Sequence, residues 1–358
     1  MSIFSKYISK EFFKFLSFSL FALIAIYVMV QFFGKVDNFI EAQVPKGVIL
    51  AYFAYLLPFI IVQMLPPATL IAVIIAFSLM KKNNEIMALK ACGINMLAFL
   101  RPLFFLALLL SVGLFLFSEL VMPYSSSKAN ALYRKYVDKK DSATYYVTDH
   151  IWYKAHNAIY WISRFDRKNN VMYHPTFYFF DASFRVLKRI DGRMAVWKNH
   201  AWEVRNGITL TASGEEGYSL VKFKQLTLKL PEGPRAFSVE EKQPEEMGYW
   251  QLKRFARKVG KEGYDNSRYL VDLNIKLAFP FIVFVMVLIG APTALGRNKG
   301  GTPVAIAIGV VACFFYLVLL GVSRALGLAG VLPPVLSAWL ANGIFFFLGS
   351  YFVLKLDR

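Results

Sequence analysis

Residues 15–34, FLSFSLFALIAIYVMVQFFG, carry no charged side chain. About 20 apolar residues, rising about 1.5 Å each, cross a bilayer as a helix. This stretch therefore reads as a membrane span. Residues 102–118, 277–296, 302–323 and 335–354 read the same way. Residues 47–80 are also uncharged but too long for one simple span, and Pro58, Pro66 and Pro67 interrupt them. They read as an interfacial lead-in followed by a kinked span. The chain of 358 residues, 57% of them hydrophobic, thus holds six expected spans, three before residue 121 and three after residue 270. The first apolar run exceeds a signal peptide's h-region of about 7–15 residues, and no small-x-small cleavage site follows, so it is expected to stay attached.

Lysine and arginine set the orientation. One side of the spans carries Lys6, Lys10, Lys14, Lys81, Lys82, Lys90, Arg101, Arg297, Lys299, Lys355 and Arg358. The other carries Lys35 and Lys46, offset by Asp37 and Glu41, and Arg324. Short loops rich in Lys/Arg stay cytoplasmic. Both termini are expected there, with the long middle segment, about 121–270, exported. Long domains cross largely regardless of their charge. The two cysteines, Cys92 and Cys313, lie outside that segment, which must fold without disulfides.

Within the middle segment, residues 143–230 are rich in β-branched and aromatic residues and read as short strands. Turn signals stand at His156-Asn157, Asp166 to Asn170 and the hairpin dipeptide Asn206-Gly207. Leu226, Leu228 and Leu230 alternate with Thr227 and Lys229, as a half-buried strand requires. A sandwich, a jelly roll or an open barrel fits this spacing. Residues 158–165 are apolar on both faces, which suits a central strand, or a groove for lipid tails or a partner strand. Residues 250–262, WQLKRFARKVGKE, place Leu252, Phe255, Ala256 and Val259 on one helical face and Lys253, Arg254, Arg257, Lys258 and Lys261 on the rest. That is a basic amphipathic helix, lying on the membrane surface or serving as a solvated connector.

Several chemistries are missing. Gly296 to Thr302, GRNKGGT, has the glycine spacing of a P-loop but no Lys after the second glycine, and it follows an apolar span. The four histidines, His150, His156, His174 and His200, form no metal-ligand pattern. No charged pair stands near the middle of a span, as an ion-coupled transporter or an intramembrane hydrolase would need. The net charge of +18 resides largely in topology-setting loops and on the exported segment, so nucleic-acid binding is not expected.

Between the second and third spans lies MKKNNEIMALKACGIN, residues 80–95. Asn84 is a suitable N-cap, Glu85 complements the helix dipole, Lys90 sits near the other end, and Gly93 can adopt the positive φ of a helix stop. A helix of about 84–93 follows, roughly 12 Å long. Alone it would be marginal, so packing must hold it. Ile86, Met87 and Leu89 give it an apolar surface that either docks a cytoplasmic partner or tucks against the spans.

The stretch NNEIMALKACGIN resembles the cytoplasmic loop of the LptF/LptG permeases of lipopolysaccharide export, through Asn84, Glu85, Ile86, Leu89, Ala91 and Gly93. FFGKVDNF, IVQMLPPATLIA, LNIKLAFPF and GLAGVLPPVLSAWLAN extend the resemblance over nearly the whole chain. The Lys-Val-Asp motif at 35–37 and the LPPATLIA run look more like the G-type than the F-type member. The resemblance implies an α-helical membrane protein with six transmembrane helices and an inserted periplasmic β-jelly roll-like domain. The expected division is 1–120 (three spans), 121–269 (the β domain and connector helix) and 270–358 (three spans). It implies a permease in the inner membrane of a Gram-negative cell, without enzymatic activity or cofactor of its own. ATP and Mg2+ would be bound by a cytoplasmic LptB-like ATPase that docks at Glu85, Ile86, Met87 and Leu89. Further implied partners are an LptF-like second permease, LptC/LptA-like periplasmic bridge proteins and lipopolysaccharide itself. Lys35 matches the family's substrate-contacting lysine, and Lys128 and Arg134 are looser substrate-binding candidates. Glu119 matches the family pattern before Met122-Pro123 without a role that the sequence reveals. The rival readings are a permease for another lipid or lipoprotein, distinguished by an external domain that here follows the third span and not the first, and a membrane scaffold or sensor without transport.

Overall fold

The computed structural model describes residues 3–137, 147–155, 157–166, 168–181, 184–212, 217–234, 237, 244–261, 266–296 and 301–357. His156, Arg297, Lys299 and Arg358 lie outside the described residues. The chain divides into a helical unit, 1–132 with 243–257 and 265–358, and a sheet unit, 133–242 with 258–264.

In the helical unit, α1 (Ile3–Phe33) leads through α2 (Val36–Glu41) into α3 (Lys46–Lys82). Then follow α4 (Glu85–Ala91), α5 (Met96–Leu120) and α6 (Met122–Tyr136), the last running on into the sheet unit. After the inserted sheet come α7 (Tyr249–Lys261), α8 (Ser267–Leu295), α9 (Gly301–Leu328) and α10 (Pro334–Leu354). Among the described residues six helices, α1, α3, α5, α8, α9 and α10, are long and apolar enough to cross a membrane. Each expected span falls on one of them. The prolines of α3 do not break it: the helix runs 37 residues through Pro58, Pro66 and Pro67. At roughly 55 Å it exceeds the hydrocarbon thickness of about 30 Å.

Two helices form the centre. In their most apolar windows, 67% of α8 and 56% of α3 are buried, against 11% of α1. The core joins Leu70, Val73, Ile74 and Phe77 of α3 to Ile282, Val285, Met286 and Ile289 of α8. A buried polar chain fastens the last three helices. The Tyr316 hydroxyl donates to Asn342 Oδ1 at 2.7 Å, and Asn342 Nδ2 donates to the Ala278 carbonyl at 2.8 Å. With no water in a bilayer core, such groups must be satisfied within the protein.

The sheet unit holds one antiparallel sheet with its strands in sequence order. They are β1 (Val147–Lys154), β2 (Ala158–Asp166), β3 (Val171–Phe180), β4 (Val186–Lys198), β5 (Ala201–Ala212) and β6 (Tyr218–Leu228). This is a meander among the described residues; the crossed strand order of a jelly roll is not seen in it. The β2–β3 turn uses Asp166, whose Oδ1 accepts from the Lys168 and Asn169 amides at 2.9 and 3.2 Å.

Asn206-Gly207 is no hairpin turn, contrary to the reading from sequence: both residues lie inside β5. They belong to a crease. In every ladder, pairing lapses along one column of positions: His150, Ser163, His174, Arg193, Asn206 and Lys224. His174 and Asn206 adopt positive φ there, 47° and 50°. The inward-facing parity changes across the column. In β2, Ala158, Tyr160 and Ile162 face the core, and then Phe165; in β3 Met172 and then Phe177; in β4 Ile190 and then Ala195. A one-residue kink reverses the side-chain alternation of its strand and bends it, here with no extra residue, since the pairing register is the same on both sides of the column. Repeated in register across the sheet, it folds the sheet along a line and turns both halves toward one core.

The chain beyond β6 closes that core. Trp202 Nε1 donates to the Glu232 carbonyl at 3.0 Å, and the Tyr160 hydroxyl donates to the Glu232 carboxylate at 3.1 Å. Burial, reinforced by the charge of Glu232, pushes the Tyr160 pKa upward and keeps this hydroxyl a donor. Phe237 sits 5.1 Å from the Tyr153 ring, 5.9 Å from Trp202 and 6.0 Å from Phe165. The inner face of β2 is therefore filled by the chain's own Leu230 and Phe237, and is not an open groove. Leu230 keeps its buried place but lies past the end of β6.

Candidate functional site

The loop between α3 and α5 carries the seven-residue helix α4. Asn84 occupies its N-cap position but in the left-handed conformation, φ 61°, with no side-chain cap hydrogen bond. The side-chain capping expected there is instead made eleven residues later. Asn95 Oδ1 accepts from the Leu97 and Ala98 amides at 2.8 and 3.2 Å and starts α5. Gly93, at φ 74°, ends α4 as its sequence position suggested.

The four residues singled out on α4 divide between two directions. Ile86 is buried, and it joins the helical core together with the partly buried Leu89. Met87 is 70% exposed. Glu85 stands in the first turn, where the dipole favours its charge. Its carboxylate accepts from the Tyr7 hydroxyl at 3.1 and 3.3 Å and from Asn83 Nδ2 at 3.3 Å. The helix thus tucks against the spans through Ile86 and Leu89 and leaves Met87 outward, beside a carboxylate oriented by α1. Tyr7 carries no local signal, since 78 residues separate it from its partner.

At the opposite end of the helical unit, Lys35 stands between α1 and α2, at the N-cap position of α2. Its ammonium donates to the Tyr52 hydroxyl at 2.5 Å and lies 5.0 Å from that ring's centroid. Tyr52 is buried and stacks edge-on with Phe39, so the lysine is held at the helix junction and does not trail free of it. Lys128 and Arg134 both lie on α6. Lys128 is exposed with its ammonium 5.7 Å from the Tyr124 ring, whereas Arg134 is half-buried. Six residues of helix place them about 120° apart around the axis, so α6 does not present them on one face.

Glu119 has a clear structural role. Its Oε2 accepts from the Tyr249 amide at 2.5 Å, at the first residue of α7. A Cβ on Gly248 would lie 2.7 Å from Glu119 Oε1, so glycine is what lets the carboxylate approach. Asn130 Nδ2 adds a second stitch to Glu246 Oε1 at 2.7 Å. The apolar face of α7 is covered by the protein: Leu252 packs with Met247 and Leu273. Its Trp250 remains 63% exposed, with the Lys253 ammonium 5.3 Å from the ring. Among the described residues no group of His, Cys, Asp and Glu is arranged to hold a metal ion.

Compared with known families, residues 6–355 match the model described as lipopolysaccharide export system permease LptF/LptG. No curated protein matches the chain.

Proposed function

The chain belongs to the LptF/LptG family of lipopolysaccharide export permeases, and from that premise we propose that it is the G-type permease subunit of an ATP-driven exporter. The observation that carries the permease reading is the family match over residues 6–355, joined to six long apolar helices interrupted by one sheet among the described residues; the G-type assignment is supported by the Lys-Val-Asp motif at 35–37 and the LPPATLIA run alone. In the proposed arrangement the chain lies in the inner membrane with both termini cytoplasmic and the sheet unit in the periplasm. It pairs with a second, LptF-like permease. A separate LptB-like subunit binds ATP and Mg2+ and docks on α4 through Met87 and the charge of Glu85. Closing of the permease pair drives lipopolysaccharide out of the outer leaflet. Edge strands offer unpaired N–H and C=O groups for strand addition. The edges of the folded sheet, β1 and β6, would join the jelly-roll bridge in this way.

Lys35 would bind a substrate phosphate through a charge-assisted hydrogen bond. Lys128 and Arg134 would add weaker, separate contacts, because they share no face of α6. The test is Lys35→Met, which keeps an unbranched apolar stem and removes the charge. Lipopolysaccharide recovered with the purified complex should fall about tenfold, the equivalent of losing one charged hydrogen bond. Tyr52→Phe, which leaves the ammonium in place, should lower it far less. Unchanged recovery in Lys35→Met would reduce the lysine to an anchor of the α1–α2 junction.

A further inference from the structure

A cavity of about 420 Å3 opens in the helical unit between the end of α3 and the start of α9. α3 ends at Lys82 and α9 begins at Gly301, so the cavity lies at the end of the bundle that carries α4, opposite Lys35. Small-molecule sites span about 300–1,000 Å3, so the space is large enough for a phosphate with a short stem.

Its charge has one sign. Lys81 and Lys82 supply two cations, and no acid lines the space. The Lys81 ammonium is fixed in place, because it donates to the carbonyl of Gly296, the residue that ends α8. Lys82 is exposed and makes no hydrogen bond or ion pair among the described residues. On the facing wall stand Gly301 and Thr302, the first residues of the 28-residue α9. The first amides of a helix have no partner within it, and the positive end of its dipole favours an anion. Gly301 has φ 66°, a conformation that a side chain would make costly, so this entry into α9 depends on glycine. The stretch GRNKGGT lacks the lysine of a P-loop. Here α3 brings cations to its end from elsewhere in the chain.

Ser78 gives an independent sign. Other hydroxyls on these spans are spent on the preceding turn: Thr69 donates to the Leu65 carbonyl at 2.8 Å and Thr293 to the Ile289 carbonyl at 2.7 Å. Ser78, one turn before Lys82, is only 6% exposed yet makes no hydrogen bond among the described residues. Ser19, Ser111 and Ser126 also lack a partner, but their oxygens are sealed from solvent. The Ser78 oxygen is not sealed, and the space it lines is this cavity. Buried polar groups are normally satisfied, and an acceptor placed beside the two lysines would satisfy this one. Lysines that merely snorkel to the membrane surface need neither that hydroxyl nor the glycine.

We propose that this cavity binds a phosphate ester, its oxygens held by Lys82, Ser78 and the start of α9. The site does not rest on the lipopolysaccharide reading. The phosphate belongs either to the headgroup of a membrane glycerophospholipid or to a free soluble anion.

The experiment measures binding of radiolabelled dioctanoylphosphatidylglycerol to the full chain in dodecyl maltoside, a detergent without phosphate. Saturable one-to-one binding is expected, undisplaced by dioctanoylglycerol, which has the same chains and no phosphate. Lys82→Gln should weaken binding about tenfold and Ser78→Ala about fivefold, each removing one hydrogen bond to a charged group. Both variants should unfold at the wild-type temperature, since Lys82 is exposed and Ser78 has no bond to lose. Lys10→Gln, at an exposed lysine of α1, should bind as the wild type does. Displacement by inorganic phosphate would identify a free anion as a sufficient ligand. Displacement by phospholipid alone would identify the lipid headgroup, and either supports the site. Absence of saturable binding, equal displacement by dioctanoylglycerol, wild-type binding in both Lys82→Gln and Ser78→Ala, or an equal loss in Lys10→Gln would overturn it.

Discussion

Gly207→Ala should unfold the inserted sheet and leave the helical unit intact. A Cβ at this position would lie 2.2 Å from the Asp191 carbonyl oxygen, 2.6 Å from the Phe223 ring and 3.1 Å from the Gly192 Cα. The Phe223 ring could swing aside. The Asp191 carbonyl is backbone of the neighbouring strand, and moving it breaks the β4–β5 ladder where Ile208 pairs with Asp191 and Gly207 with Gly192. The crease then cannot form, and the two halves of the sheet lose their common core around Trp202, Phe165 and Phe177. A loss of about 3 kcal/mol or more is expected, at the upper end of single-residue effects. Limited proteolysis reads it directly: the segment between residues 147 and 234 should be cut rapidly while the long helices stay protected. Asn206→Gly, which suits the positive φ of its position, should keep the wild-type pattern. A Gly207→Ala chain as resistant as the wild type would mean that the crease is not the point on which the sheet depends.

Glu85→Ala should leave the chain folded and uncouple it from the proposed ATPase subunit, with lipid-stimulated ATP turnover in the proposed complex falling tenfold or more. The side chain is held outside the core by Tyr7 and Asn83, so its removal opens no cavity. What is lost is the charged group at the start of α4 beside the exposed Met87. Tyr7→Phe keeps that charge and removes only its orienting donor, so a smaller loss of about two- to threefold is expected, in line with one exposed hydrogen bond. Ile86→Ala separates docking from packing. Ile86 is buried in the helical core, and truncating it should destabilise the chain by about 2–5 kcal/mol. Equal effects of Glu85→Ala and Ile86→Ala on folding, or full coupling in Glu85→Ala, would remove α4 from the transmission path.

The long helices were legible because twenty or so uncharged residues in a row have few alternatives. The stop of α4 at Gly93 was legible for a similar reason, since few residues tolerate its φ. Other features were hidden by physics that acts at a distance. The Asn-Gly pair at 206–207 has the composition of a turn, yet it serves a crease whose other members lie on the five other strands. The crease also inverts the alternation of β2, β3 and β4 partway along, so a period of two read along any one strand fails across it. Glu119 gave no hint of its partner because Tyr249 is 130 residues away. Asn84 and Asn95 are equally plausible caps by residue type, and only the backbone conformation at each decides which side chain closes a helix start. On the candidate site, sequence singled out α4 but not its division into a buried edge at Ile86 and Leu89 and an outward one at Met87.

The most direct test of the proposed function is affinity purification of the tagged chain from its native membrane, with proteins and lipids identified by mass spectrometry. The account predicts a soluble ATPase subunit, a second six-span permease and lipopolysaccharide in the same complex, and no ATP hydrolysis by the chain purified alone. Recovery of the chain without ATPase or lipopolysaccharide, under conditions that keep membrane complexes intact, would contradict it.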